Sequence, residues 1–221
     1  MSGRYDFFNR LSSLGMDQGW RRRTIDSLEL KPGMRVLDVA SGTGDLAIEA
    51  ACRMVPLGEV VACDLSGRML DYASKKFTGI PAAYWHIRQV QSKAEDLPLG
   101  DGTFDAATIG FALRNVSDLD QTFRELHRVL KPGGRIGLLE FGRPASPLLG
   151  VGHWLWLTVG LPVVGFLTTG RLWPFTYLRR SILQFMEPVQ VCRRLQEAGF
   201  AHVEARPMSG NIVVLYTGVK A

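Results

Sequence analysis

Short apolar runs rich in β-branched residues alternate along the chain with segments whose apolar positions recur every three or four residues, a pattern that predicts repeated strand–helix units. Strands are expected at 35–40, 59–63, 104–110 and 135–141, with helices at 45–54, 67–76 and 118–130. A further strand fits 84–91. Phe123, Leu126, Val129 and Leu130 share one face of the last of these helices, which the LKPGG of 130–134 stops before its Pro-Gly-Gly turn launches the next strand. Crossovers of helix length make the strands parallel. The final two runs, AHVEARPM at 201–208 and IVVLYTGVK at 212–220, are separated only by Ser209, Gly210 and Asn211. That is too short for a crossover, so they should pair antiparallel.

Residues 144–170 contain no Asp, Glu, Lys or Arg and include LLGVGHWLWLTVGLPVVGFLTT, long enough by length alone to cross a bilayer. Gly150, Gly152, Gly160 and Gly165 weaken a helix there, and Pro162 interrupts it. The expectation is a broken helical lid within an insertion at about 144–182, with shallow membrane insertion as the alternative to a span.

A chain of 221 residues with a hydrophobic fraction of 46% can bury one ordinary core, so 1–221 is read as a single domain with an N-terminal segment at 1–31. Cys52, Cys63 and Cys192 form no CxxC or Cys/His cluster, which points away from a disulfide framework or a metal site and towards a reducing cytoplasm. The N-terminus mixes charges with aromatics and does not read as a secretory signal. The net charge of +5 is uneven: Lys/Arg against Asp/Glu gives +2 over 1–31, −4 over 32–120 and +7 over 121–221. Such a basic C-terminal part suits an anionic surface, although scattered arginines on solvated faces produce the same count.

The strongest local signal is VLDVASGTGD at 36–45, a buried strand entering a glycine turn and then a helix. Gly42 and Gly44 let the backbone turn tightly and approach a ligand, while the helix start offers unpaired N–H groups. With Ala47 the spacing also satisfies GxGxxA, so the turn alone does not choose between a dinucleotide and another adenosine cofactor. Asp64, ending EVVACD, stands where a carboxylate can accept both ribose hydroxyls of either. Asp38 and Asp45 are read equally as structural caps and as cofactor contacts.

The order AEDLP at 94–98, GTFDAATIG at 102–110 and then LKPGG resembles class I S-adenosylmethionine-dependent methyltransferases, a Rossmann-like α/β fold of seven mostly parallel strands with an antiparallel C-terminal hairpin. Two more segments, YDFFNRLSSLGMDQGWRR at 5–22 and FALRNVSDLDQTFRELHRVLKPGGR at 111–135, together with LEF at 139–141 and FTYLRRSI at 175–182, resemble the ubiquinone/menaquinone biosynthesis C-methyltransferase family over nearly the whole chain. The resemblance implies methyl transfer from S-adenosylmethionine to a ring carbon of a polyprenylated quinol, with demethylmenaquinol ahead of a benzoquinol precursor. It carries cofactor contacts onto Thr43, Asp64, Lys93 and Ala94, beside Gly42 and Gly44. Two departures stand out. Lys93 replaces an Asn or Asp and cannot accept the adenine amino hydrogen, which leaves its backbone, Glu95 or another acceptor for that task. Gly110 stands where the family often has Ser.

Quinol carbon becomes nucleophilic when the neighbouring hydroxyl ionises, and a phenolic pKa of about 10 makes that form scarce at neutral pH. Arg114 follows the fourth strand and is the candidate to stabilise the phenolate, with Asn115 orienting the ring; an ion pair of Arg114 with Asp118 or another carboxylate is the structural alternative. Tyr5, Asn9 and Trp20 are candidate acceptor contacts, the two aromatics doubling as possible helix anchors. His127 reads as structural and His153 stays open as a base. The reaction demands no metal. A polyprenyl tail already resides in lipid, so the enzyme should meet it at a membrane surface, with Trp154, Trp156 and nearby arginines at the interface; a homodimer contact would cover the same apolar surface. Nucleic-acid methylation is disfavoured because no Asn/Asp-Pro-Pro-aromatic motif and no Pro-Cys pair occurs. Methylation of another lipid or small aromatic, an NAD-dependent oxidoreductase and a non-catalytic membrane-binding module are the competing readings.

Overall fold

In the computed structural model, described at residues 10, 13, 15–79, 86–169 and 173–221, seven strands form one sheet in the order β3-β2-β1-β4-β5-β7-β6. The strands are β1 (Arg35–Val39), β2 (Glu59–Asp64), β3 (Ile87–Gln91), β4 (Phe104–Gly110), β5 (Leu130–Phe141), β6 (Phe200–Met208) and β7 (Val213–Lys220). The first five run parallel; β7 lies antiparallel to both β5 and β6, as the short connection at 209–212 requires. This is the expected Rossmann-like arrangement with a terminal hairpin.

The helices are α1 (Asp17–Asp26), α2 (Asp45–Arg53), α3 (Gly67–Phe77), α4 (Leu119–Val129), α5 (Pro147–Leu155), α6 (Leu161–Thr169), α7 (Trp173–Gln184) and α8 (Pro188–Glu197). Alternation along the strands divides the core. Val36, Val60, Ala62 and Ala106 pack against Ile25 and Leu28 near the end of α1 and against Leu46, Ala47 and Ala50 of α2. Their neighbours Leu37, Val39, Val61, Ala107 and Ile109 turn the other way, towards Phe123, Leu126 and Val129 of α4 and Val191 and Leu195 of α8. Burial on both sides explains why these strands read as continuous apolar runs.

Two sequence expectations change. The LKPGG segment belongs to β5, which begins at Leu130 and pairs Phe104 with Leu130 before the register shifts to Ala106 and Arg135. The extra residues, with Gly133 at φ +77°, bulge out of the ladder instead of closing a separate turn. Second, Pro162 does not break the apolar helix. Between α5 and α6 the chain makes a π turn at Trp156–Gly160, where the Leu161 amide donates to the Trp156 carbonyl five residues back. The wider turn carries the helix past a proline that lacks an N–H, so α5, the π turn and α6 run on without a gap.

Candidate active site

The sheet changes direction of connection between β1 and β4, and the crevice at the carboxyl ends of these strands is where ligands bind in open α/β folds. The glycine turn lies there. The Gly42 amide donates to Asp64 Oδ2 at 2.8 Å, the Ser66 amide to Asp64 Oδ1 at 2.8 Å, and the Ser41 amide to the Cys63 carbonyl at 2.9 Å. Asp64 is therefore oriented by two backbone donors, and each carboxylate oxygen keeps a lone pair for a ribose hydroxyl. Gly44, at φ +81°, holds a left-handed conformation that favours glycine, and a Cβ there would lie 2.5 Å from the Phe77 ring and force it to move.

Asp38 acts as a structural cap from inside the sheet. Its Oδ2 accepts from the Ala47 amide at 3.1 Å, in the first turn of α2, and its Oδ1 from the Thr108 hydroxyl at 2.7 Å. Complete burial pushes its carboxyl up to about 7, against the pull of Thr108, Arg21 and Ala47. A carboxyl with a raised folded pKa keeps its proton between the unfolded value of 3.8 and about 7 while the unfolded chain has lost it, so its contribution to stability falls as pH rises through that window. Thermal melts from pH 4 to 8 should show Asp38→Asn gaining on the native chain as pH rises, with a full difference on the order of 4 kcal/mol. Parallel curves for the two proteins would show that Asp38 ionises normally.

Asp45 opens α2 and is ion-paired with Lys76, whose ammonium also lies 3.4 Å from Thr43 Oγ1. Burial alone would raise Asp45, but Arg21 and Lys76 hold it below the ordinary carboxylate value. On the other flank, β3 delivers Lys93 and Ala94 beside Asp64, with the Ser92 amide donating to the Asp64 carbonyl at 3.2 Å. Ala94 is buried and Lys93 exposed. Glu95 Oε1 takes the Ser117 and Asp118 amides at 2.6 and 3.3 Å, which ties this carboxylate to the start of α4. Leu65, 62% exposed directly after Asp64, offers an apolar face that sequence reasoning missed; a large aliphatic residue left in solvent at a strand end was the available signal.

Past β4, Phe111 adopts φ +57° and packs on Phe141 with ring centroids 4.6 Å apart. Arg114 lies against this wall, its guanidinium 5.1 Å from the Phe141 ring centre. Its ion-pair partner is Glu140, at 2.5 Å, and not Asp118, which caps α4 through the Gln121 amide. Glu140 is wholly buried, and Arg114 also donates to the Phe111 carbonyl at 2.7 Å and to Ser181 Oγ at 3.3 Å. Only its Nη2 makes no hydrogen bond among the described residues. Asn115 Oδ1 accepts from the Tyr177 hydroxyl at 3.2 Å.

Trp20 is 4% exposed, donates from Nε1 to Ser209 Oγ at 2.9 Å and meets Phe111 edge-on. It anchors α1 to the β6–β7 turn, the packing role named above beside acceptor contact. Tyr5 and Asn9 lie outside the described residues. His127 packs edge-on against Phe200, a structural place, while partial burial lowers the pKa of His153. Two buried polar atoms flanking the glycine turn have no hydrogen-bond partner among the described residues: Ser41 Oγ and Arg21 Nε. Neither was expected as a functional group, Arg21 being hidden in the run Arg21-Arg22-Arg23 that reads as a solvated face.

Comparison with known proteins adds identity of a coarser kind. The ubiE/COQ5 methyltransferase family matches residues 1–220. A demethylmenaquinone methyltransferase of Desulfitobacterium hafniense is 33% identical over 218 residues, covering 98% of this chain and 85% of that protein. The ubiquinone/menaquinone biosynthesis C-methyltransferase UbiE of Pseudomonas aeruginosa is 38% identical over 220 residues, covering 100% and 86%. Among solved structures, a SAM-dependent methyltransferase from Aquifex aeolicus superposes with TM-score 0.66 at 19% identity, over 91% of this chain and 89% of that one. The [4+2]-cyclase SpnF superposes with TM-score 0.69 at 20% identity, over 92% and 81%, so the fold by itself does not choose a reaction.

Proposed function

The chain belongs to the ubiE/COQ5 methyltransferase family, and on that premise we propose that it methylates a ring carbon of a polyprenylated quinol, converting demethylmenaquinol to menaquinol ahead of the corresponding benzoquinol step of ubiquinone synthesis. It is an S-adenosylmethionine-dependent methyltransferase of quinone biosynthesis. The observation that carries the finer reading is the aromatic wall of Phe111 and Phe141 with a buried arginine at its edge, a setting for a flat ring with an ionisable hydroxyl.

The residues fit the cofactor. Asp64 has lone pairs for both ribose hydroxyls, the Gly42–Gly44 turn admits close approach, and Thr43, Leu65, Lys93 and Ala94 border the same end of the sheet. The unpartnered Ser41 Oγ and Arg21 Nε are the polar atoms a ligand would satisfy. S-adenosylmethionine supplies a methyl group already activated on a sulfonium. The chain therefore has to align the acceptor, exclude water and favour the phenolate. Glu140 fixes the Arg114 guanidinium, whose Nη2 is left to donate to the quinol oxygen, and Tyr177 holds Asn115 beside it.

The apolar helix supports a place for this reaction at the cytoplasmic face of a membrane. Leu148, Val151, Leu155, Val159, Val163 and Phe166 recur at helical spacing and are all about half exposed or more, whereas Leu157 and Leu161 on the opposite side pack against Ile182. Pro147–Phe166 is long and apolar enough to span, with 17% of its most apolar stretch buried. Its packing on Ile182 ties it to the domain, so the reading is a stripe lying in the interface that admits the quinol head while the tail stays in lipid.

The test is a mass-resolved assay with methyl-labelled S-adenosylmethionine and reduced demethylated naphthoquinol or benzoquinol, run with anionic vesicles whose protein content is measured by flotation. A ring-carbon-methylated naphthoquinol and vesicle-bound enzyme are expected. A benzoquinol product alone would change the acceptor, and no product despite cofactor binding would point to another lipid or small aromatic. Enzyme that stays off the vesicles as a dimer would assign the stripe to a second copy.

A further inference from the structure

Arg21 is a nearly enclosed cation without a hydrogen bond among the described residues. Its side chain is 16% exposed, its Nε is buried and unpartnered, and its nearest carboxylate oxygens lie at 3.8 Å on Asp17 and 3.5 Å on Asp45. Both contacts exceed hydrogen-bonding distance. Those carboxylates already have partners, Asp17 accepting from Ser13 Oγ at 2.9 Å and Asp45 pairing with Lys76. An N–H group buried in this way is costly unless something else accepts from it.

Its position suggests what. Arg21 touches Asp45 at the start of α2, lies with its Cζ 5.6 Å from the Phe111 ring centre, and places Nη1 3.6 Å from where a Cβ on Gly110 would be. It thus stands over the tips of β1 and β4, while Asp64, the ribose acceptor, ends β2 on the far side of β1. A cofactor with its ribose at Asp64 that extends across the glycine turn towards β4 brings its amino-acid end to Arg21 and passes Ser41, the other unpartnered group. We infer that Arg21 holds the carboxylate of the methyl donor's methionine moiety, so that α1 is part of the cofactor site. A planar guanidinium matches the two oxygens of a carboxylate, whereas a quinol hydroxyl presents one, and the acceptor side is served by Arg114 beyond β4. Trp20, next in sequence and locked to Ser209, sets the helix that aims Arg21.

The inference rests on the S-adenosylmethionine reading, and one calorimetric series separates the two. S-adenosylmethionine and its decarboxylated analogue, which lacks only the carboxylate, are titrated into the native protein, Arg21→Met and Arg21→Lys. The native chain should prefer the carboxylated ligand by about tenfold to a hundredfold, the range of a charge-assisted hydrogen-bonded pair. Arg21→Met should lose that preference while binding the decarboxylated analogue within about threefold of the native chain, which also reports that the variant is folded; Arg21→Lys should lie between. Equal affinity of the native protein for the two ligands, or a variant that weakens both alike, overturns the assignment of Arg21. Binding of neither ligand to the native protein overturns the cofactor reading together with it.

Discussion

Glu140→Ala is expected to lower the unfolding free energy by about 3–5 kcal/mol, the cost of leaving a buried charge without its partner. The carboxylate is wholly buried in β5 and accepts from Arg114 Nη1 at 2.5 Å, from the Phe141 amide at 2.8 Å and from the Arg114 amide at 3.2 Å. Its removal strands a guanidinium that is 8% exposed and frees two backbone donors. Pairing the change with Arg114→Met removes the orphaned charge, so the double variant should recover much of the stability, while turnover stays lost if Arg114 is the cation proposed to face the acceptor. Chemical denaturation of the single and double variants measures this. A Glu140→Ala loss below about 1 kcal/mol would mean that solvent reaches the pair.

Asp64→Ala should weaken S-adenosylmethionine binding by about a hundredfold or more, since two ribose hydroxyls would each lose a charge-assisted acceptor. The same carboxylate receives the Gly42 and Ser66 amides, both at 2.8 Å, so the glycine turn and the start of α3 loosen as well and stability should fall by about 1–3 kcal/mol. Asp64→Asn, which keeps one acceptor oxygen, should lose less of both. Isothermal titration beside thermal melts reads the two effects separately, and a cofactor affinity within threefold of the native chain would remove Asp64 from the site.

The glycine turn, Asp64 and the terminal hairpin were legible because each is written locally: two glycines in the left-handed region, a carboxylate at a strand end, and a four-residue connection that permits only antiparallel return. The partner of Arg114 was not. Asp118, four residues away, was the natural suspect, but it spends its side chain on capping α4, while Glu140 arrives from 26 residues on because β4 and β5 are neighbours. A buried Glu in the apolar run LLEF was the hint that some cation must reach it. Pro162 misled for a related reason. Its helix-breaking effect is local, and the π turn that absorbs it became evident only in three dimensions.

By itself, then, the sequence determined the strand–helix alternation, the glycine turn, the hairpin and a family resemblance, all of which depend on neighbours within a few residues or on runs of residue types. Tertiary structure decided what depends on contacts across the sheet: that Trp20 is fastened to Ser209 across 189 positions, that Glu140 holds Arg114, that Asp38 is sealed in the core with a raised pKa, and that Arg21 is left enclosed over the β1–β4 crevice without a hydrogen bond among the described residues. Burial and pairing are properties of the folded neighbourhood, and these set the charge state and the free donors with which a site acts.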